Sequence, residues 1–169
     1  QQGISSITST SKSSMPFSKL KKDITNLLQQ NNMAELVDVS FDKKGIKVEF
    51  SNKALYDTGD AQIKIHMLPV IDQISDVIKN SNVENQVVEI EGHTDDRPIS
   101  TQLYPSNWEL SSARAVAIVK RLVQQGVEKR FLKAVAYADS RPKVKLTTAQ
   151  DISVARAENR RAVIYIRRP

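Results

Sequence analysis

The 169-residue chain contains no cysteine, which excludes a disulfide scaffold and a zinc–thiolate centre but leaves the compartment open. No stretch reaches the ~20 consecutive apolar residues that span a bilayer, and no secretory leader is legible. Aromatic residues are scarce, at 5 %, and mostly fall in apolar patterns. Binders of single-stranded nucleic acid usually present aromatic stacking platforms, so nucleic acid is not expected as a partner. The two histidines, His66 and His93, are far apart, and neither an H-x-x-x-H nor a Gly-x-Ser-x-Gly pattern occurs. An enzyme remains the competing class, because His93, Asp95, Asp96 and His66 could in principle ligate a metal or exchange protons. The expectation is nonetheless no catalysis, no cofactor and no metal. The opening Gln1-Gln2-Gly3 lacks a methionine and reads as a fragment or processed form.

What is present suffices for one domain with a tail: 40 % of residues are apolar and 26 % charged. The net charge of +6 is placed unevenly, with ten Lys/Arg from Arg130 onward against Asp139, Asp151 and Glu158. That excess reads either as a solvated basic face or as a surface for a polyanion such as nucleic acid, acidic lipid or an anionic wall polymer.

Residues 1–15, rich in Ser, Thr and Gln, read as a flexible linker. Phe17, Leu20, Ile24, Leu27 and Leu28 lie at helical spacing, with Pro16 tolerated at the start. They predict an amphipathic helix over about 16–31, within an N-terminal segment 16–35 that docks on the domain or on a second copy. Leu36 to Phe41 and Ile46 to Phe50 alternate as strands around an Asp42-Lys43-Lys44-Gly45 turn. A helical stripe runs from Ile63 to Ile78, and Pro69 inside it predicts a kink or a later start. His66 reads as a partly exposed helical side chain. Phe131 to Tyr137 and Ala162 to Ile166 read as strands, residues 143–149 as loop, and Ile152 to Ala157 as a short helix. The order predicts an α/β fold, an α+β sandwich with a mixed sheet and a βαβαβ core, helices on one face and parallel pairing across the crossovers.

The centre is the stretch from Val87 to Arg114. Val88 and Ile90 alternate with Glu89 and Glu91 as a half-buried strand, which ends at Gly92 with His93, Thr94 and Asp95 at its mouth. Pro98 and Pro105 mark a loop. Ser106 and Glu109 have the S-x-x-E spacing of a capping box, so a helix starts there and continues to Gly126. Asn107 and Arg114, seven residues apart, share one face of it. A strand-end Asp95 facing a helical Asn107 and Arg114 makes a pocket with one anionic and one cationic wall. Such a pocket suits a zwitterion, its ammonium on Asp95 and its carboxylate on Arg114. Trp108 reads as core or staple, Arg114 alone could be a salt bridge to Glu109 or Asp95, and Arg160-Arg161 alone a solvated pair.

Gly92-His93-Thr94-Asp95, then Asn107-x-x-Leu110-Ser111-x-x-Arg114-Ala115, then Asn159-Arg160-Arg161 before a final strand, resembles the OmpA-like peptidoglycan-binding domain over roughly Leu36 to Arg167. Thr94-Asp95-Asp96-Arg97-Pro98-Ile99 and the run Tyr104-Pro105-Ser106-Asn107-Trp108-Glu109-Leu110-Ser111 are similar to the B subunit of the flagellar motor stator (the MotB/PomB family). The resemblance assigns residues 36–169 to that domain. It implies that Asp95 receives the ammonium of a diaminopimelate in the wall peptide and Arg114 its carboxylate, that Thr94 and Asn107 add hydrogen bonds, and that Arg160 reinforces the Asp95 side. Asp57, in the position of a family Phe-Asp-x-Gly turn, would line the pocket. It further implies a periplasmic part of a single-pass inner-membrane protein, a homodimer, and a stator A subunit as membrane partner. The alternative is an OmpA/Pal-like structural protein tying outer membrane to wall. Two departures stand out. Tyr56 replaces the usual Phe, and Ala136-Tyr137-Ala138-Asp139 replaces a Gly-x-Gly-Glu turn, which is expected to manage without glycine's positive φ.

Overall fold

The computed structural model describes residues 14–81 and 85–168. The linker expected over 1–15 lies outside the described residues except at its end, where Ser14 and Met15 already belong to the first helix, α1 (Ser14–Gln30). Phe17, Leu20, Ile24 and Leu28 of α1 are all buried, so the predicted stripe is real and its partner is the domain itself. The helix stops where Asn32 takes a left-handed φ of 55°. The amide of Met33 then bonds back to the Leu28 carbonyl at 2.9 Å, a Schellman closure with Asn in place of glycine.

A hairpin follows, β1 (Val37–Asp42) and β2 (Gly45–Ser51). Asp42 closes it, accepting from the amides of Lys44 at 2.7 Å and Gly45 at 3.0 Å. A four-residue helix unforeseen in the sequence, α2 (Asn52–Leu55), is capped by Ser51. The long stripe beginning at Ile63 is not one helix. A 3-10 turn at Ile65–Met67 leads into α3 (Leu68–Asn80), with Pro69 in its first turn, where the missing N–H costs nothing. Exposed His66 sits in that turn rather than on a helix. Then come β3 (Val87–His93), α4 (Asn107–Gln124), β4 (Leu132–Ala138), α5 (Ile152–Asn159) and β5 (Arg161–Arg167).

The five strands run in the order β1-β2-β5-β3-β4. Only β3 and β4 pair in parallel; β5 inserts between β2 and β3, antiparallel to both. The mixed sheet was expected, but parallel pairing through α5 was not the outcome. Alternation then sorts the faces. Val48, Phe50, Val88, Ile90, Ile164 and Ile166 turn toward the helices and are fully buried against Ile24, Ile71, Ile74 and Ile118. The other face carries charges. There Arg167 meets Glu89 at 2.8 Å and Lys143 meets Glu49 at 2.8 Å. Much of the basic excess of the C-terminal quarter is thus neutralised by acidic residues from earlier in the chain, which favours the solvated-face reading over a polyanion surface.

Trp108 corrects an expectation. It is 53 % exposed at the start of α4, neither core nor staple. Trp108→Ala should therefore lower stability by less than about 1 kcal/mol, against about 3–5 kcal/mol for a buried tryptophan, as read from urea denaturation midpoints.

Candidate functional site

Three elements converge at the C-terminal end of β3. Gly92 lets the strand lie directly against α4, since a side chain there would meet the Ser111 backbone, whose carbonyl carbon stands 2.8 Å from where a Cβ would sit. Thr94 continues the strand's direction, its amide donating to the Ala138 carbonyl at 2.8 Å. Ala138 holds a φ of 50°. The turn expected to do without glycine's conformation keeps that conformation with an alanine, at a strain of about 1–2 kcal/mol. Its compensation is visible: the Ala138 amide donates to Ser111 Oγ at 3.2 Å and its carbonyl receives Thr94, so β3, β4 and α4 are tied at one point.

Asp95 is buried, and both of its carboxylate oxygens are engaged. Oδ1 accepts the Arg97 amide at 2.9 Å; Oδ2 accepts Arg97 Nη2 at 2.7 Å and Arg160 Nη1 at 2.6 Å. Burial works to raise its proton affinity, but the Arg97 and Arg160 hydrogen bonds prevail and hold the carboxyl below its ordinary 3.8. A carboxylate depressed on folding adds stability above the unfolded value, and that stability is lost as pH falls through the folded value. Acid unfolding below about pH 4 should therefore be partly driven by Asp95. Asp95→Asn should flatten the low-pH limb of the stability profile while leaving the slope above pH 5 unchanged, measured by urea midpoints across pH.

Arg114 is buried on the facing helix, 4 % exposed. Its Nε donates to the Asp60 carbonyl at 2.8 Å and its Nη2 to the Asp57 carbonyl at 3.4 Å. The Tyr56 ring lies 5.1 Å from the guanidinium carbon, and the Tyr56 hydroxyl donates to the Arg114 carbonyl at 2.8 Å. Burial lowers the guanidinium's proton affinity and pushes the Tyr56 phenol up, yet an arginine keeps its charge at neutral pH. Among the described residues no carboxylate lies within ion-pair distance of Arg114, so the salt bridge to Glu109 or Asp95 weighed from sequence is not made. The like charge of Arg160, which is bonded to Asp95, adds to the lowering of the Arg114 proton affinity.

The remaining expected residues take more local roles. Thr94 is buried, its hydroxyl bonded to the Asp95 carbonyl at 3.0 Å. Asn107 Nδ2 holds the loop through the Arg97 carbonyl at 2.9 Å and, more weakly, the Asp95 carbonyl at 3.5 Å. Asp57 reaches Arg114 by its backbone carbonyl, whereas its carboxylate is 79 % exposed and 3.7 Å from Lys64. Ser106 caps α4 as expected, although its hydroxyl receives the amide of Trp108, one position earlier than in a capping box, and also pairs with the Glu109 carboxylate. Two contributors escaped the sequence reading. Arg97 entered only as part of the run Thr94 to Ile99, with no role assigned to it, and Tyr56 only as an exchange for Phe, although its hydroxyl anchors α4.

His93 does not join this cluster. Gly92 faces α4, so by alternation His93 faces the other side of the sheet, where Nε2 pairs with Glu91 at 2.9 Å and the ring stacks on Tyr137 at 5.0 Å. Burial lowers its proton affinity and outweighs the Glu91 bond, which leaves the imidazole neutral. The His–Asp–Asp constellation of an enzyme is therefore not assembled around Asp95. No group of three or more metal-type ligands occurs among the described residues.

The sequence profile of the OmpA family matches residues 55–160. The uncharacterized protein YtxE of Bacillus subtilis (strain 168) is 32 % identical over 152 residues, covering 89 % of this chain and 60 % of its own length. Motility protein B of the same strain is 24 % identical over 148 residues, covering 87 % and 54 %. The chain thus spans between half and two thirds of the length of these two relatives, and YtxE matches at higher identity than the motility protein. A MotB-like protein of Desulfovibrio vulgaris has the same fold, with a TM-score of 0.78 at 22 % identity over 90 % of this chain and 94 % of that one. The cell wall anchor of the T6SS from Pseudomonas aeruginosa gives 0.72 at 28 % identity over 86 % and 97 %.

Proposed function

This chain belongs to the OmpA family, and from that premise we propose that it binds the peptide stem of peptidoglycan noncovalently and anchors a membrane-embedded, ion-driven flagellar motor stator to the cell wall. One observation carries the wall-binding part. A buried Arg114 guanidinium, fixed by two backbone carbonyls and an aromatic face, has no carboxylate of its own among the described residues, and Asp95 stands at the strand end opposite. A diaminopimelate head supplies the missing carboxylate and an ammonium for Asp95. Arg160 reinforces the Asp95 side, Thr94 and Asn107 hold the Asp95 loop in shape, and Asp57 contributes its carbonyl. The stator assignment rests on the likeness to motility protein B and to the MotB-like structure. With it come an extracytoplasmic location, a homodimer and a stator A subunit as partner.

The test is co-sedimentation with purified peptidoglycan sacculi, comparing wild type with Asp95→Asn, both checked for folding. Retention of the wild type and loss in the folded variant is the expected result. Equal retention of both would remove the ammonium contact from the proposal, and no retention of either would remove wall binding.

A second reading is favoured by the likeness to a wall anchor of another membrane machine: an OmpA/Pal-like tether in the envelope. The full-length gene product decides, because a single transmembrane helix with an acidic residue upstream belongs to a stator, and a barrel or lipidated cysteine to a tether.

Within the stator reading, α1 acts as a switch, docked before assembly and released to extend the reach of the domain afterwards. Ile24 is fully buried and α1 packs on α3, so the docked form is the one described here. A disulfide engineered between residue 24 and α3 should abolish swimming under oxidising conditions and restore it on reduction. Motility unaffected by the crosslink would sink the switch.

A further inference from the structure

The Asp95 carboxylate is 7 % exposed, whereas the Arg97 side chain paired to it is 58 % exposed. Arg97 therefore lies on the solvent side of the carboxylate, and Arg160, on the same Oδ2, lies deeper, at 32 % exposed. Two guanidiniums on one carboxylate give the cluster a net positive charge, to which Arg114 adds. A cluster of that sign receives a ligand carboxylate readily and leaves a ligand ammonium no open position on Oδ2, which already takes both guanidiniums, while Oδ1 is turned to the Arg97 amide.

Resting on the wall-binding reading above, we propose that Arg97 is a built-in competitor for the ligand's ammonium: it occupies the ammonium position on Asp95 in the free protein and must swing out for a zwitterionic stem peptide to bind. The hydrogen bonds divide Arg97 into a fixed and a movable part. Its amide is held by Asp95 Oδ1 at 2.9 Å and its carbonyl by Asn107 at 2.9 Å, so the backbone stays in place. Among the described residues its guanidinium hydrogen-bonds only Asp95 Oδ2, Nε at 3.2 Å and Nη2 at 2.7 Å. A rotation about the side-chain torsions frees it into water without moving the loop. Arg160 stays behind on Oδ2, and the vacated lone pairs face solvent. Exchange of one cation for another keeps the charge on Asp95 satisfied throughout, which avoids a buried unpaired carboxylate during binding.

The competitor also sets specificity. A ligand with a carboxylate and no ammonium binds Arg114 without displacing Arg97, and gains nothing from its removal. A ligand with both groups must displace Arg97, and its apparent affinity is reduced by the fraction of molecules in which the site is open. For a partly exposed ion pair that fraction corresponds to about a two- to fivefold reduction.

The experiment is isothermal titration of wild type, Arg97→Ala and Arg97→Lys with two soluble probes: a stem tripeptide ending in diaminopimelate, and the same peptide with the terminal amino group replaced by hydrogen. Arg97 is exposed and Arg160 remains on Asp95, so the variants are expected to fold, which thermal melts verify. The expected result is that Arg97→Ala binds the amino-bearing peptide about two- to fivefold more tightly than wild type, that Arg97→Lys lies between, and that the desamino peptide distinguishes none of the three. Weaker or unchanged binding of the amino-bearing peptide by Arg97→Ala, with wild type still binding, overturns the competitor and makes Arg97 a ligand contact or a turn-former. An equal gain for both peptides overturns it as well, because the effect would then not concern the ammonium. Absence of binding by all three folded proteins overturns the wall-binding reading itself, and the competitor with it.

Discussion

Gly92→Ala should lower stability by about 3 kcal/mol or more and, on the wall-binding proposal, disturb the proposed binding geometry at the same time. An added Cβ would run into the Ser111 carbonyl of α4, with the Ser111 Cα only 3.1 Å away. The obstacle is backbone, so no side chain can rotate aside. The strand cannot retreat either, because Gly92 is held in register with Ala162 of β5 on one side and Ala136 of β4 on the other. The helix must move, and it is pinned by Ser111 to the Ala138 amide and by Tyr56 to the Arg114 carbonyl. For a domain of this size such a loss lowers Tm by roughly 6–12 °C. Whatever shift α4 makes is carried to Asn107 and Arg114, so the fraction that folds should bind sacculi poorly. Urea denaturation followed by circular dichroism measures the first effect. An alanine variant as stable as wild type would show that β3 and α4 are not in backbone contact.

Arg114→Ala should reduce sacculus retention to background, and Arg114→Lys should weaken it by about thirtyfold, a loss of about 2 kcal/mol. The two substitutions separate charge from shape. Lysine restores one positive charge, but a single ammonium cannot donate to the Asp57 and Asp60 carbonyls, lie over the Tyr56 ring and still offer a fork to a carboxylate. The alanine variant should also lose about 1–3 kcal/mol of stability, because the space of the buried Arg114 side chain is emptied and the Asp60 carbonyl loses its guanidinium donor. Binding must therefore be compared at a temperature where both variants are folded. Retention by a folded Arg114→Ala equal to that of wild type would move the carboxylate contact to another cation, with Arg160 the first to examine.

Much of this site was legible before the structure, for identifiable reasons. Ser106 could be read because an N-cap is a local device, three residues from Glu109 and independent of the rest of the chain. Asn107 and Arg114 share a face because helical periodicity is fixed by backbone geometry. The role of Arg97 was not legible, although the residue stands in the run Thr94 to Ile99, because an arginine two residues from an aspartate in a polar loop is ordinarily a solvated side chain. Its role arises from the burial of Asp95, which depends on residues distant in sequence, Asn107 at the start of α4 and Arg160 at the end of α5. Ala138 misled for a similar reason: tertiary hydrogen bonds from Ser111 and Thr94 impose a conformation that local preference disfavours. Trp108 was misjudged because an aromatic residue beside a cap has the same local signature whether its neighbours cover it or not.

The sequence by itself determined the elements and their faces, since alternation and helical spacing are properties of a few consecutive residues. It also determined the OmpA-type motif that marks the site. The tertiary structure alone decided the position of β5 in the middle of the sheet, the docking of α1 on its own domain and the engagement of Asp95 by two arginines. Each of these joins residues far apart in the chain, 65 positions in the case of Asp95 and Arg160. Contacts of that kind are selected by the packing of the whole core and by the cost of burying a charge unpaired, and no local pattern records them.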